Sequence, residues 1–128
     1  MGRPPIDQQV TFVYVSELER SRRFYEQTLQ LELALDQGSC RIYRVAGEAF
    51  LGLCARPDAV SPEGVILTLV TPDVEGFYAY LAAAGVELEG PARRNPDYDI
   101  VHFFARDPDG YRVEVQRFCD PSWPAPAT

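Results

Sequence analysis

The chain has 128 residues, of which 46% are hydrophobic and 24% are charged. This length and composition suit one globular domain with its own core. Nineteen acidic residues against twelve basic ones give a net charge of −7, which argues against a nucleic-acid-binding protein because phosphates need a cationic surface. The chain has a single histidine, His102, so a site built from two histidines of one chain is excluded.

Targeting and redox signals predict a cytoplasmic protein. No apolar stretch approaches the roughly 18 residues that a membrane span needs, and the polar N-terminus MGRPPIDQQ has no apolar signal region. The three cysteines, Cys40, Cys54 and Cys119, are odd in number and widely spaced. They therefore predict reduced thiols rather than a disulfide framework or a metal site.

The first half of the chain predicts a strand, a helix and three further strands. The β-branched and aromatic run 10–15 is typical of a strand that is covered on both faces. Ser16 followed by Glu19 forms a capping-box pattern, which predicts a helix beginning at Ser16. An apolar stripe continues this helix to Leu29. Three short strands are predicted at 31–35, 40–45 and 49–54.

The second half repeats this pattern after a linker at 55–64. A strand is predicted at 65–70, and Thr71 and Pro72 predict the N-cap and the first residue of a helix. Gly85 ends that helix in a left-handed cap. A polar loop is predicted at 93–99, and short strands are predicted at 86–88, 100–105 and 111–117, the last two joined by a tight turn at 107–110.

The two halves are copies of one βαβββ module. Val10 matches Val65 and Val15 matches Val70, both at a spacing of 55 residues. Because an open sheet with one helix cannot enclose a core alone, two such modules are expected to pair. The predicted fold is therefore α+β. Two βαβββ modules, about 9–56 and 64–119, form a curved, cup-shaped mixed sheet with helices on the outside, within one domain over 1–128.

Two segments carry a family resemblance. Residues 15–25 (VSELERSRRFY) and 107–114 (DPDGYRVE) resemble the vicinal oxygen chelate superfamily, which includes glyoxalase I, extradiol dioxygenases and bleomycin-resistance proteins. The resemblance covers residues 9–118. It implies the paired-module fold but no single activity, because the superfamily holds lyases, isomerases, dioxygenases, transferases and binding proteins.

The resemblance also implies where a divalent metal would bind. Enzymes of the superfamily take a histidine from the first strand of each module and an acid from the last strand. Here Val10 and Val65 occupy the histidine positions, and the acid position of the first module falls at Gly52 or Leu53. Only Glu114 is retained, and one carboxylate with at most one imidazole is a weak divalent site. We therefore expect no metal and no other cofactor.

Strand alternation predicts the residues that line the cup. In each module, alternate residues of the first and last strands face inward. The predicted inward residues are Val10, Phe12, Tyr14, Val65, Leu67, Leu69, Arg112, Glu114 and Gln116. This apolar, partly aromatic floor predicts an apolar or aromatic ligand, and the acidic balance is compatible with a cationic one.

His102 and several aromatic residues are further candidates. His102 shares a strand face with Phe104, and it is either a packed wall residue or a ligand contact or general base. Glu114 is either a catalytic residue or a family remnant held in a salt bridge. The remaining candidate ligand-binding residues are Tyr43, Phe50, Tyr98 and Trp123. The tail that carries Trp123 either folds over the cup or a partner subunit, or is disordered.

Three functions are compatible with these residues. The leading hypothesis is a metal-independent homodimer that binds a small apolar or aromatic molecule, as bleomycin-resistance-type proteins do. The first alternative is a metal-dependent glyoxalase-like lyase or isomerase, or an extradiol-type dioxygenase, that uses Glu114 with ligands from a partner chain. The second alternative is a metal-free enzyme with Glu114 or His102 as general base. Neither a nucleic acid nor a membrane is expected as a partner.

Overall fold

The computed structural model describes residues 2–126, which divide into two compact units between Ser61 and Pro62. The elements of the first unit are β1 (Gln9–Val15), α1 (Leu18–Arg22), a π-helical segment (Arg23–Thr28), β2 (Glu32–Asp36), β3 (Cys40–Ala46), β4 (Ala49–Ala55) and a short 3-10 helix (Pro57–Ala59). Its four strands form a sheet in the order β1-β4-β3-β2. Strand β1 runs parallel to β4, and the other neighbours are antiparallel.

The second unit repeats this topology. Its elements are β5 (Ile66–Val70), α2 (Val74–Ala83), β6 (Glu87–Asn95), β7 (Ile100–Arg106) and β8 (Arg112–Phe118). The sheet order is β5-β8-β7-β6, with β5 parallel to β8. The α+β class and the repeated βαβββ order predicted from the sequence are therefore confirmed. None of the described helices is long and apolar enough to cross a membrane.

Each unit buries the side of its sheet that the helix covers. In the first unit the buried apolar residues are Val13, Val15, Phe24, Tyr25, Tyr43, Leu51 and Leu53. In the second unit they are Val74, Leu81, Ile100, Phe103, Ala105, Tyr111, Val113 and Val115. Edge-to-face contact between Tyr78 of α2 and Phe103 of β7, with ring centroids 5.1 Å apart, identifies the side that α2 covers. The opposite side of each sheet is left for other contacts.

The predicted start of α1 is wrong. The helix begins at Leu18, and the residue before it, Glu17, makes no side-chain cap. A capping box needs the Glu19 carboxylate to reach back to Ser16. Instead Arg22, one turn further on, donates to both carboxylate oxygens of Glu19, at 2.9 and 2.5 Å. This bidentate pair replaces the capping box because a guanidinium matches a carboxylate well.

The predicted cap of α2 is displaced by two residues. Asp73, not Thr71, is the N-cap, and its side chain accepts a hydrogen bond from the Gly76 N–H at 3.0 Å. The Thr71 hydroxyl instead accepts from the Asp73 N–H at 3.2 Å. A side-chain turn at Thr71 therefore leads into the helix, which begins at Val74 beyond Pro72.

Strand β6 is much longer than predicted. Gly85 has the expected positive φ of 77° at the end of α2, but the following strand runs to Asn95 instead of ending at 88. Part of the predicted polar loop 93–99 is thus strand, because Arg93–Asn95 pair with the start of β7. Cross-strand hydrogen bonds order this polar segment, whose composition gives no strand signal of its own.

The prediction of reduced thiols is wrong for two of the three cysteines. Cys40 and Cys54 form a disulfide bond between β3 and β4. The antiparallel register places the two residues directly opposite each other, with Cα atoms 4.1 Å apart. Pairing of neighbouring strands decides this proximity, and sequence spacing does not show it. Cys119 is an exposed free thiol.

Candidate functional site

The uncovered side of the second sheet carries a polar centre. Thr68 of β5 is the register partner of Glu114 of β8, and its hydroxyl donates to Glu114 Oε1 at 2.9 Å. The two side chains therefore share one side of the sheet. By alternation, Ile66 and Val70 lie on this side with them. Leu67 lies on the other side beside the buried Val113.

The predicted inward residues of β5 are consequently wrong. Val65, Leu67 and Leu69 do not share a side with Glu114. The sequence alignment of the halves is off by one residue at this strand, because Leu18 and Val74, the first residues of α1 and α2, are 56 residues apart. With that spacing the counterpart of Val10 is Ile66. The extra residue lies in the turn before α2, and a one-residue shift exchanges the two faces of a strand.

A carboxylate–imidazole pair forms the middle of this site. His102 Nδ1 lies 2.7 Å from Glu114 Oε2. The side chains of His102 and Glu114 are only 14% and 12% exposed. Each oxygen of Glu114 therefore has its own protein partner, Thr68 on one side and His102 on the other. The imidazole also contacts the Phe104 ring edge-to-face at 5.3 Å.

An arginine pair borders the site on one side. Glu89 of β6 lies 2.7 Å from Arg106 Nε and 3.5 Å from Arg112 Nη2. The Arg112 guanidinium lies over the Phe104 ring at 3.9 Å from its centroid, in cation–π geometry. Phe104 is thus held between His102 and Arg112. This network fixes the wall next to Glu114 without adding a net negative charge.

The opposite border of the site is apolar and open. Ile66 and Val70, on either side of Thr68 along β5, are 49% and 55% exposed. An uncovered pair of branched aliphatic side chains next to a satisfied polar centre is the arrangement of a small-molecule site: apolar contact area with a few fixed polar groups.

The first unit exposes an apolar strand face with a different character. Val10, Phe12 and Tyr14 of β1 lie on one side and are all exposed, as predicted. Phe50 of β4 shares this side, and its ring lies under the Arg44 guanidinium at 4.7 Å. The Phe12 ring covers Gly52, so an aromatic side chain occupies the close approach that this glycine permits.

Tyr43, predicted as a ligand-binding wall residue, lies on the other side of the first sheet. It is fully buried, and its hydroxyl donates to Glu26 Oε2 of the π-helical segment at 3.0 Å. Burial and this hydrogen bond raise the pKa of Tyr43 to about 12. Its placement beneath the helix corrects its predicted orientation, as the placement of Leu67 beside Val113 does in the second unit.

The last two predicted aromatic residues lie outside the polar centre. Tyr98 is in the turn between β6 and β7 and is 73% exposed. Trp123 stacks on Phe118 at the end of β8, with ring centroids 3.8 Å apart. The tail up to residue 126 thus packs by its tryptophan against its own unit, which selects one of the alternatives left open by the sequence.

Three residues of the polar centre and its border were missed from the sequence. Thr68 was lost through the alignment shift at β5. Glu89 was missed because β6 was predicted to end at 88. Arg106 had a usable signal: the predicted turn at 107–110 pairs Arg106 with Arg112 and Phe104 with Glu114, as the structure shows.

The family positions for a divalent metal do not fit one here. Val10, Ile66 and Gly52 provide no donor, and both oxygens of Glu114 are hydrogen-bonded within the second unit. Within residues 2–126 no three side chains of His, Cys, Asp or Glu group together as a metal site. The donor chemistry of each unit is therefore that of a hydrogen-bonding site.

Comparison with known proteins identifies the relatives of the chain. The model of the family described as Glyoxalase/Bleomycin resistance protein/Dioxygenase superfamily matches residues 7–115. No curated protein matches the chain.

Solved structures with low sequence identity share the fold. An integron cassette protein from the mobile metagenome of the Halifax Harbour sewage outfall is 22% identical, with a TM-score of 0.75, covering 87% of this chain and 97% of that one. A glyoxalase-related enzyme from Fulvimarina pelagi is 23% identical, with a TM-score of 0.74, covering 92% and 91%. Lactoylglutathione lyase from Agrobacterium tumefaciens is 23% identical, with a TM-score of 0.72, covering 89% and 95%.

Proposed function

We propose that this chain, which belongs to the Glyoxalase/Bleomycin resistance protein/Dioxygenase superfamily, binds a small apolar or aromatic molecule without a divalent metal. One observation carries this proposal. Glu114, the acid retained at a family metal position, has both carboxylate oxygens hydrogen-bonded, to Thr68 and to His102. A carboxylate engaged in this way serves as the polar centre of a binding face and not as an open metal ligand.

The surroundings of Glu114 support an apolar or aromatic ligand. Ile66 and Val70 offer exposed aliphatic surface beside the polar centre. Burying such surface is the main source of affinity in small-molecule sites, and the polar groups orient the ligand. The Glu114 carboxylate and the overall charge of −7 are compatible with a cationic ligand.

Thermal unfolding with added compounds tests this proposal. Purified protein is heated with Zn²⁺, Ni²⁺ or Mn²⁺, with a chelator, and with a panel of aromatic compounds that includes bleomycin. We expect metals and chelator to leave the Tm unchanged and at least one aromatic compound to raise it, because a ligand that binds only the folded state stabilises it.

Two variants make the test specific. Glu114→Gln should remove the response to the aromatic compound, whereas Glu63→Gln, the same change at an exposed residue before β5, should keep it. Clear stabilisation by micromolar metal that Glu114→Gln abolishes would instead support the metal-dependent lyase, isomerase or dioxygenase.

The homodimer and the cytoplasmic location remain predictions of the sequence. Light scattering of the purified protein measures the number of chains, with two expected. Fractionation of cells that produce the protein measures its location, with recovery in the cytoplasmic fraction expected.

A further inference from the structure

The orientation of His102 determines which of its nitrogens faces a ligand. Nδ1 lies 2.7 Å from Glu114 Oε2. A carboxylate only accepts hydrogen bonds, so Nδ1 of the neutral imidazole carries the proton and donates it to this bond. The other nitrogen, Nε2, then has a free lone pair and is an acceptor.

Nε2 is available to a ligand. Among the side chains described by the structure it has no hydrogen-bond partner, because the only polar contact of His102 is the one to Glu114 through Nδ1. Nε2 is also not one of the buried side-chain atoms without a partner. A mostly buried imidazole therefore presents one unpaired acceptor at the uncovered side of the second sheet.

The groups around His102 set its chemical environment. On β6 its register partner is Arg93, and on β8 its register partner is the buried Gln116. Phe104 on its own strand contacts the ring edge and separates it from Arg112. The closest charge is thus Glu114, whose carboxylate holds the ring in place.

We infer that His102 Nε2 selects aromatic ligands that carry a hydroxyl donor, so that the ligand class is phenolic. The ring of the ligand would lie against Ile66 and Val70, and its hydroxyl would donate to Nε2. This inference rests on the proposed function, because it names the chemistry of the ligand for the same site. Glu114 acts as a positioning residue that fixes the tautomer.

The test compares two ligands that differ only in the donor. Binding of a naphthol and of the matching methoxynaphthalene is measured by fluorescence titration at about pH 8, where an ordinary imidazole is neutral. We expect the naphthol to bind about tenfold more tightly, which is the effect of one hydrogen bond to an otherwise unpaired acceptor. His102→Phe keeps an aromatic ring but removes the acceptor, and should bind both compounds equally.

Glu114→Gln provides a second readout. A neutral amide can donate to Nδ1 as well as accept from it, so the tautomer is no longer fixed and the preference for the naphthol should fall. Glu63→Gln should keep the full preference. Circular dichroism of each variant checks that it is folded.

The outcomes separate the inference from the proposed function. Equal binding of the two naphthalenes by the native protein, or a preference that survives in His102→Phe, overturns the inference and leaves the proposed function in place. The same holds if neither naphthalene binds although another aromatic compound does. If no apolar or aromatic compound binds, the proposed function fails and the inference fails with it.

Discussion

The Thr68 hydroxyl lies 2.9 Å from Glu114 Oε1, across the parallel pair of strands β5 and β8. This bond shows which side of β5 accompanies the retained glutamate. It places a polar residue, not the predicted Leu67, next to the carboxylate. Together with the His102 contact it satisfies both oxygens of Glu114, so the two bonds define the site.

Loss of the Thr68 bond should destabilise the second unit. Thr68→Val keeps the shape of the side chain but leaves one oxygen of Glu114 without its donor, so the free energy of unfolding should fall by about 1 kcal/mol. Urea unfolding measures this value. The matched change Thr11→Val, at an exposed position of β1, should stay within about 0.5 kcal/mol of the native protein. Equal stability of the two variants would show that the bond contributes nothing.

Gly52 and Phe12 should be energetically coupled. A Cβ added at Gly52 would collide with the Phe12 ring, so Gly52→Ala must displace that ring and should cost about 1 to 3 kcal/mol. In a Phe12→Ala background the same change should cost much less, since the ring is gone. A double-mutant cycle by denaturant unfolding measures this coupling. Additive effects would contradict it, and Gly2→Ala, where no atom is near, is the control.

Tyr43 should make stability depend on alkaline pH. The pKa of Tyr43 is raised from 10.0 to about 12 in the folded protein by burial and the bond to Glu26. The folded state therefore holds this proton more tightly than the unfolded chain, and the resulting stability is fully present below about pH 10. It should be lost, by about 1 to 3 kcal/mol, as the pH rises through about 12.

Urea unfolding at a series of alkaline pH values tests this dependence. Tyr43→Phe should flatten the decline, because the titrating hydroxyl is absent. Tyr98→Phe, at an exposed tyrosine, should retain the native profile. A native-like decline in Tyr43→Phe would assign the pH dependence to another group.

The disulfide between Cys40 and Cys54 should stabilise the folded chain. It closes a loop with a sequence separation of 14 residues, and a cross-link of this span restricts the unfolded chain by about 3 kcal/mol. The double change Cys40→Ser with Cys54→Ser should lower the free energy of unfolding by about that amount, and a reductant should lower the Tm of the native protein but not of the double variant. Cys119→Ser should leave both unchanged. A reductant-insensitive native Tm would argue against the bond.

Local patterns in the sequence determined the order of the elements. The strand run at 10–15, the turn residues at 107–110 and the glycine at 85 act through neighbouring residues, so they predict β1, the β7–β8 turn and the end of α2 without further information. The repeat of these patterns gave the βαβββ topology of both units. The single histidine and the valine at position 10 likewise limited the metal chemistry before any geometry was known.

Only the tertiary structure decided which side chains meet. One residue inserted before α2 reversed the inward face of β5, because strand faces alternate with every residue. The pairing of β3 with β4 joined Cys40 to Cys54, and β6 reached Asn95 only through its bonds to β7. The bond between His102 and Glu114 depends on the β7–β8 register, since contacts between strands follow from their hydrogen-bonded alignment and not from the composition of either strand.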